Sequence, residues 1–259
     1  MKHIPLALYV HIPWCERKCP YCDFNSHENF DPALEKPYVD ALLNDLDQQL
    51  GWAGGRELVS IFFGGGTPSL FSGSAIQQIL DGIQRRLPLA ACCEITLESN
   101  PGSAEAGNYD AYRHAGVNRL SMGVQSFNAR HLSKLGRIHS GDEAIKAIEL
   151  ARSAGFDRLN IDLMYGLPDQ TMEEGLNDIT TAIEQGIDHF SWYQLTIERN
   201  TAFWSAPPVL PREDVIEPMQ HKAEALLNAA GIAQYEVSAW TASAQRSIHN
   251  LNYWQFGDY

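Results

Sequence analysis

The stretch YVHIPWCERKCPYCDF, from Tyr9 to Phe24, places Cys15, Cys19 and Cys22 at the spacing C-x3-C-x2-C. Five cysteines in 259 residues would fall at such fixed offsets by chance only on the order of a few times in a thousand. Thiolates at this density suit soft centres, either zinc or an iron–sulfur cluster. A structural zinc site needs a fourth protein ligand, which His11 or His27 would have to supply. The usual second pair is missing, because Cys92 and Cys93 are adjacent and far along the chain. A [4Fe–4S] cluster on three thiolates instead keeps one iron open for a ligand.

Other chemistry-bearing residues stand at the ends of apolar runs. Gly64-Gly65-Gly66-Thr67 follows one such run. Its missing side chains let backbone approach a ligand, and its N–H groups are expected to be free to bind a carboxylate. Glu98 ends the run Ile95-Thr96-Leu97, a poor place for a charge unless a cation or hydroxyl pairs with it. Cys92 and Cys93, at the entrance to that run, are expected to pack in the core.

The elements that must position these groups alternate. Strands are expected at 6–12, 58–63, 94–98, 119–124, 158–164, 190–196 and, less clearly, 234–238. Between them lie helical stripes, such as Leu42/Leu43, Leu46 and Leu50, and Ile76, Ile79/Leu80, Ile83 and Leu87. Ser140-x-x-Glu143 and Thr171-x-x-Glu174 have the form of capping boxes, and Gly116, Gly155, Gly186 and Gly231 each close a helical pattern. Six or seven such units predict an α/β fold, a partial (β/α)6 TIM-like barrel of parallel strands with outer helices. In such barrels functional residues gather at the C-terminal ends of the strands, and the motifs here fall at those ends.

The three-cysteine motif, with Tyr21 just before its last thiol, resembles the radical S-adenosylmethionine superfamily. YVHIPWC, FFGGGTPSLF, ESNPG, GVQSF, LGRIH, NIDLMYGLPDQT, SWYQLTIE and HNLNYW follow the order of the oxygen-independent coproporphyrinogen III oxidase group. They are most similar to its sister branch, the HemW-type heme chaperones. The resemblance covers nearly the whole chain. It implies a [4Fe–4S] cluster on Cys15, Cys19 and Cys22, whose open iron chelates S-adenosylmethionine (SAM) and whose electron cleaves it to a 5′-deoxyadenosyl radical. It further implies that Gly66 and Thr67 contact the methionine end of SAM, that Tyr9 lies beside it, and that Glu98, Gln125, Arg137 and Asp162 hold the rest.

Where the oxidase branch has a fourth cysteine two residues after the third, this chain has Phe24, and it opens only a few residues before Tyr9. Both features resemble the chaperone branch. There His249 and Tyr253 of HNLNYW would contact heme, imidazole being a common axial ligand and Tyr a flat surface for a porphyrin. The implied function is a heme chaperone passing heme to acceptor hemoproteins, with porphyrinogen decarboxylation as the alternative; no catalytic side chain is assigned. The family carries a smaller C-terminal domain, so residues 1–259 are expected to form the radical SAM core alone.

Composition narrows the remaining classes. The length fits one barrel-sized domain. A net charge of −13 without a Lys/Arg cluster gives no footprint for nucleic acid. The N-terminal run is too short for a signal peptide and no stretch approaches about 20 apolar residues, so a cytoplasmic protein with reduced cysteines is expected.

Overall fold

The computed structural model describes residues 4–102, 107–242 and 245–259. Eight strands form one sheet in the order β1-β2-β3-β4-β5-β6-β8-β7. β1 (Leu6–Ile12), β2 (Leu58–Gly65), β3 (Leu89–Ser99), β4 (Arg119–Gln125), β5 (Leu159–Tyr165) and β6 (His189–Gln194) are parallel neighbours. The sheet curves into a partial barrel with helices outside, as the alternation predicts.

The helices follow from their caps and stripes. α1 (Glu35–Ala53) ends at Gly54, which is left-handed at φ 60°. α2 (Gly73–Gln84) starts where Ser72 accepts from the Ala75 N–H, and it buries Ala75, Ile76, Ile79, Leu80 and Ile83, the one-face spacing of a helix. α3 (Tyr109–Ala115), α4 (Ala129–Lys134), α5 (Gly141–Ser153) and α6 (Met172–Glu184) cover the next strands. Both capping boxes form: Ser140 with Glu143 opens α5, and Thr171 with Glu174 opens α6. α7 (Ala202–Ser205), α8 (Glu213–Ala229) and α9 (Ile248–Trp254) complete the set among the described residues. None of these helices is long and apolar enough to cross a membrane.

Strand alternation splits the sheet into two faces. Val10, Ile12, Ile61, Phe63, Leu97, Leu120, Met122, Val124, Ile161, Leu163, Phe190 and Trp192 point outward into the core shared with the helices. The intervening residues are polar: Ser60, Glu94, Thr96, Arg119, Ser121, Asn160 and His189 are all buried. The barrel therefore has a polar interior inside an apolar sleeve.

Two expectations change. The strand expected at 234–238 is instead the turn of a hairpin, with β7 (Ile232–Gln234) antiparallel to β8 (Ala239–Ala242). No crossover helix separates them, so the chain can only return antiparallel, and β8 pairs antiparallel with β6. Cys93 is buried as expected, but Cys92 is exposed, because successive strand residues face opposite ways and only one can enter the core. At the other edge, Leu6 bridges Asp258, and Ala7 N–H donates to the Asp258 carbonyl at 2.8 Å.

Candidate functional site

The loop leaving β1 carries the three thiols and is held by its own chain. Cys15 N–H donates to His27 O at 2.8 Å, His27 N–H to Pro13 O at 2.7 Å, and Cys22 N–H to Cys19 O at 3.1 Å. Lys18 Nζ reaches the Phe24 and Ser26 carbonyls at 3.1 and 3.2 Å, fastening the far side. Trp14 anchors the loop root, edge-on to Tyr38 at 4.7 Å between centroids and stacked on Phe71.

The glycine run seats this loop and does not offer its N–H groups to a ligand. Gly66 N–H donates to Ile12 O at 2.8 Å, Thr67 N–H to Trp14 O at 2.7 Å, and Gly65 N–H to Glu98 Oε2 at 3.3 Å. A Cβ on Gly66 would overlap the Trp14 backbone, and one on Gly65 would stand 2.7 Å from His11 Nδ1. The run is free of side chains so that the thiol loop can lie directly on it. The expectation of free N–H groups fails because those groups close this contact.

A cavity of about 500 Å³ opens between this loop and the strand ends. Its walls include Cys15, Cys19 and Cys22, Gly66 and Thr67, Glu98, Gln125, Arg137 and Asp162, together with Phe24, Asn100 and Tyr193. Residues from five strands and the β1 loop thus converge, although Asp162 sits midway along β5 and not at its end. Arg137 ties the parts together, donating from Nη1 to Cys19 Sγ at 3.5 Å and from Nη2 to Asn100 Oδ1 and Gly123 O. Gln125 takes the left-handed φ of 67°, uncommon for a side chain of its kind, and accepts from Tyr193 Oη at 2.8 Å. Asp178 holds the next turn by accepting from Ser126 Oγ at 2.7 Å and Phe127 N–H at 2.8 Å.

Among the described residues neither Glu98 nor Asp162 forms an ion pair, although Arg137 lines the same cavity. Burial and then the nearby Asp162 push the Glu98 carboxyl up to about 8, against the opposing Gly65 N–H. Burial also raises Asp162, partly offset by its bonds from Ser191 and Asn160. Burial raises the Cys22 thiol too, and the adjacent Cys19 and Cys15 add to it. Burial works against the Arg137 charge, but Tyr21 and Cys19 more than compensate and lift its pKa. Three thiols facing two carboxyls across one cavity fit a multi-atom soft centre beside a cationic organic molecule.

Three of the expected residues lie outside the cavity. Tyr9 flanks Gly64, its hydroxyl 3.0 Å from His11 Nδ1 and its ring stacked on Phe62. His249 is buried deeper in the barrel, stacked on Phe62 at 4.8 Å with Nδ1 3.0 Å from Ser60 Oγ. Burial is the main cause that draws its pKa down to about 4, so the ring is neutral. Glu94 fixes α9 there, accepting from Ser247 Oγ and the Ile248 and His249 N–H groups while pairing with Arg158 at 2.7 Å. Glu94 lies four residues before Glu98 on β3, about 13 Å below the cavity at about 3.3 Å per residue. The expectation that His249 presents its imidazole to a porphyrin is therefore not met in this conformation. Tyr253, packed edge-on against His249, is 40% exposed.

The residues missed from sequence are Glu94, Asn160 and His189 of the barrel interior, and Asp178 on α6. The first three sit at every-second positions with Glu98, Asp162 and Ser191. A polar alternation within strands expected to be buried on both faces was the available signal.

Comparison with known proteins follows this geometry. The Radical SAM superfamily pattern matches residues 9–181. The heme chaperone HemW of Escherichia coli (strain K12) is 55% identical over 255 residues, covering 98% of this chain and 68% of that protein. The HemW of Haemophilus influenzae is 49% identical with the same coverage of each. Among solved structures, coproporphyrinogen III oxidase (HemN) from Escherichia coli superposes with a TM-score of 0.84 at 28% identity, over 93% of this chain and 56% of that one.

Proposed function

This chain belongs to the radical SAM superfamily and, within it, to the HemW group, and on that premise we propose that it is a heme chaperone that binds heme and hands it to acceptor hemoproteins. Cys15, Cys19 and Cys22 would hold a [4Fe–4S] cluster, which supplies one-electron chemistry and an open iron for SAM. Thr67 and Gly66 line the place for the methionine end. Glu98 and Asp162 offer charge to the cationic sulfonium and ammonium, and Gln125 and Arg137 position polar parts of the same molecule. Arg137 also braces the thiol loop through Cys19.

The observation that carries this reading is the convergence of three thiols with two half-buried carboxyls, neither in an ion pair among the described residues, in one cavity. Heme would meet the α9 region, where Tyr253 is accessible; ligation by His249 requires α9 to leave its seat on Glu94. An anaerobic heme titration of the cluster-loaded protein is expected to give a stoichiometric Soret change that Tyr253→Ala weakens. No Soret change, together with turnover of coproporphyrinogen III in the presence of SAM and a reductant, would favour the oxidase instead.

A further inference from the structure

The barrel interior holds a continuous hydrogen-bonded chain that none of the assigned roles uses. At the lower end, Ser247 N–H, just before α9, donates to Tyr235 Oη at 3.2 Å. Tyr235 Oη lies 2.9 Å from His189 Nε2, and His189 Nδ1 lies 2.6 Å from Asn160 Oδ1. Asn160 Nδ2 then donates to Asp162 Oδ1 and to Ser121 Oγ, each at 2.8 Å. Ser247, His189 and Asn160 are all within a few per cent of full burial, so water does not reach the middle of the chain, while Tyr235 and Asp162 are half-buried.

Both ends fix the direction of every bond. Asn160 Nδ2 faces Asp162 and Ser121, so its carbonyl is left toward His189. His189 must then carry its proton on Nδ1 and accept at Nε2 from the Tyr235 hydroxyl, whose oxygen accepts from Ser247 N–H. Burial, reinforced by Arg119 and Arg158, draws the His189 pKa down to about 2, so the ring is neutral as this pattern needs. Donors aligned this way polarise one another toward the carboxylate.

We infer that His189 and Tyr235 are positioning residues for Asp162, and that through them the seating of α9 is coupled to the SAM end of the barrel. The inference rests on the reading above, in which Asp162 faces SAM. Coupling of this kind is measured by a double-mutant cycle and not by position alone.

The test is calorimetric titration of SAM into the full, cluster-loaded chain. Asp162→Asn is expected to weaken binding at least tenfold, and Tyr235→Phe about fivefold, the value of one net hydrogen bond. His189→Phe should weaken it more than His189→Asn, which keeps a donor where Nδ1 stands. The double variant of Asp162 and Tyr235 should bind no more weakly than Asp162→Asn alone. Side-chain nitrogen chemical shifts should report the Nδ1–H tautomer at His189, and SAM should slow amide exchange at Ser247 in the parent but not in Tyr235→Phe. Parent-like SAM binding by Tyr235→Phe and His189→Phe, with Asp162→Asn still weakened, overturns the relay and leaves the SAM site standing. Parent-like binding by Asp162→Asn removes the role of Asp162 and the inference with it. Additive losses in the double variant also overturn it, since the residues would then act independently.

Discussion

Gly66→Ala is the sharpest test of how the thiol loop is held. The added methyl would stand 2.7 Å from the Trp14 carbonyl carbon and 3.0 Å from its nitrogen, closer still to its oxygen. These are backbone atoms and cannot rotate away, so the loop must lift. Lifting breaks Gly66 N–H to Ile12 O and Thr67 N–H to Trp14 O. Each such bond contributes about 1 kcal/mol net, and a buried group left without a partner costs about 1–3 kcal/mol, so the variant should lose about 2–5 kcal/mol. Cys15 follows Trp14 directly, so iron and sulfide retention should fall as well. Urea unfolding of the metal-free chain measures the first effect, and iron and acid-labile sulfide per chain after anaerobic reconstitution measures the second. Gly51→Ala is the control: it lies inside α1 with nothing within 4 Å of a new Cβ, and should be neutral or stabilising by up to about 1 kcal/mol. A Gly66→Ala chain within about 0.5 kcal/mol of the parent, carrying its full iron and sulfide, would falsify the account of the glycine run.

Two further predictions concern charge. Glu98, raised to about 8, is mostly protonated at pH 7, so a cation seated beside it should release close to one proton. Calorimetry of SAM binding in buffers of different ionisation enthalpy should detect that proton, with affinity rising from pH 6 to 8 and then levelling. The same raised pKa means that the stability of the unliganded fold is greatest at low pH for this group and declines as pH climbs through about 8. Glu94 has the opposite sign: burial opposes its charge, but Arg119, the α9 N–H groups and Arg158 hold its pKa below the usual value. Its contribution is present above the ordinary carboxylate range and is lost on acidification; Glu94→Gln should cost about 3–5 kcal/mol at pH 7 and speed amide exchange at Ile248 and His249.

Much of this was legible before any coordinates. The six parallel strands follow from apolar runs punctuated by helix-stop glycines, and the two capping boxes form as written because they involve only residues three apart. The gathering of Cys15, Glu98 and Gln125 in one cavity was legible for a related reason, since parallel strands deliver their ends to one side, whereas Asp162 reaches it from the middle of β5. Periodicity says which face a residue occupies and not what it meets there. Hence the N–H groups of Gly65 to Thr67 read as available when Ile12, Trp14 and Glu98 already use them, and His249 read as facing a porphyrin when Ser60 and Glu94 draw it inward. The Tyr235–His189–Asn160 chain was invisible for the same reason, its partners being brought together only by the register of β5, β6 and the β7–β8 hairpin.

The seam between Leu6 and Asp258 bears on the order in which the molecule is assembled. Arg56 is paired with Asp258 across 202 residues, and the seam can close only after Asp258 has been synthesised. The contacts that hold the root of the thiol loop run instead among His11, Trp14, His27, Tyr38 and Phe71, all early in the chain, whereas Arg137 and Phe203 reach Cys19 and Pro20 later. Local closures of that kind cost little entropy and come first, whereas the long one is slow. During translation the root of the thiol loop can therefore form while the barrel wall beside it still stands ajar.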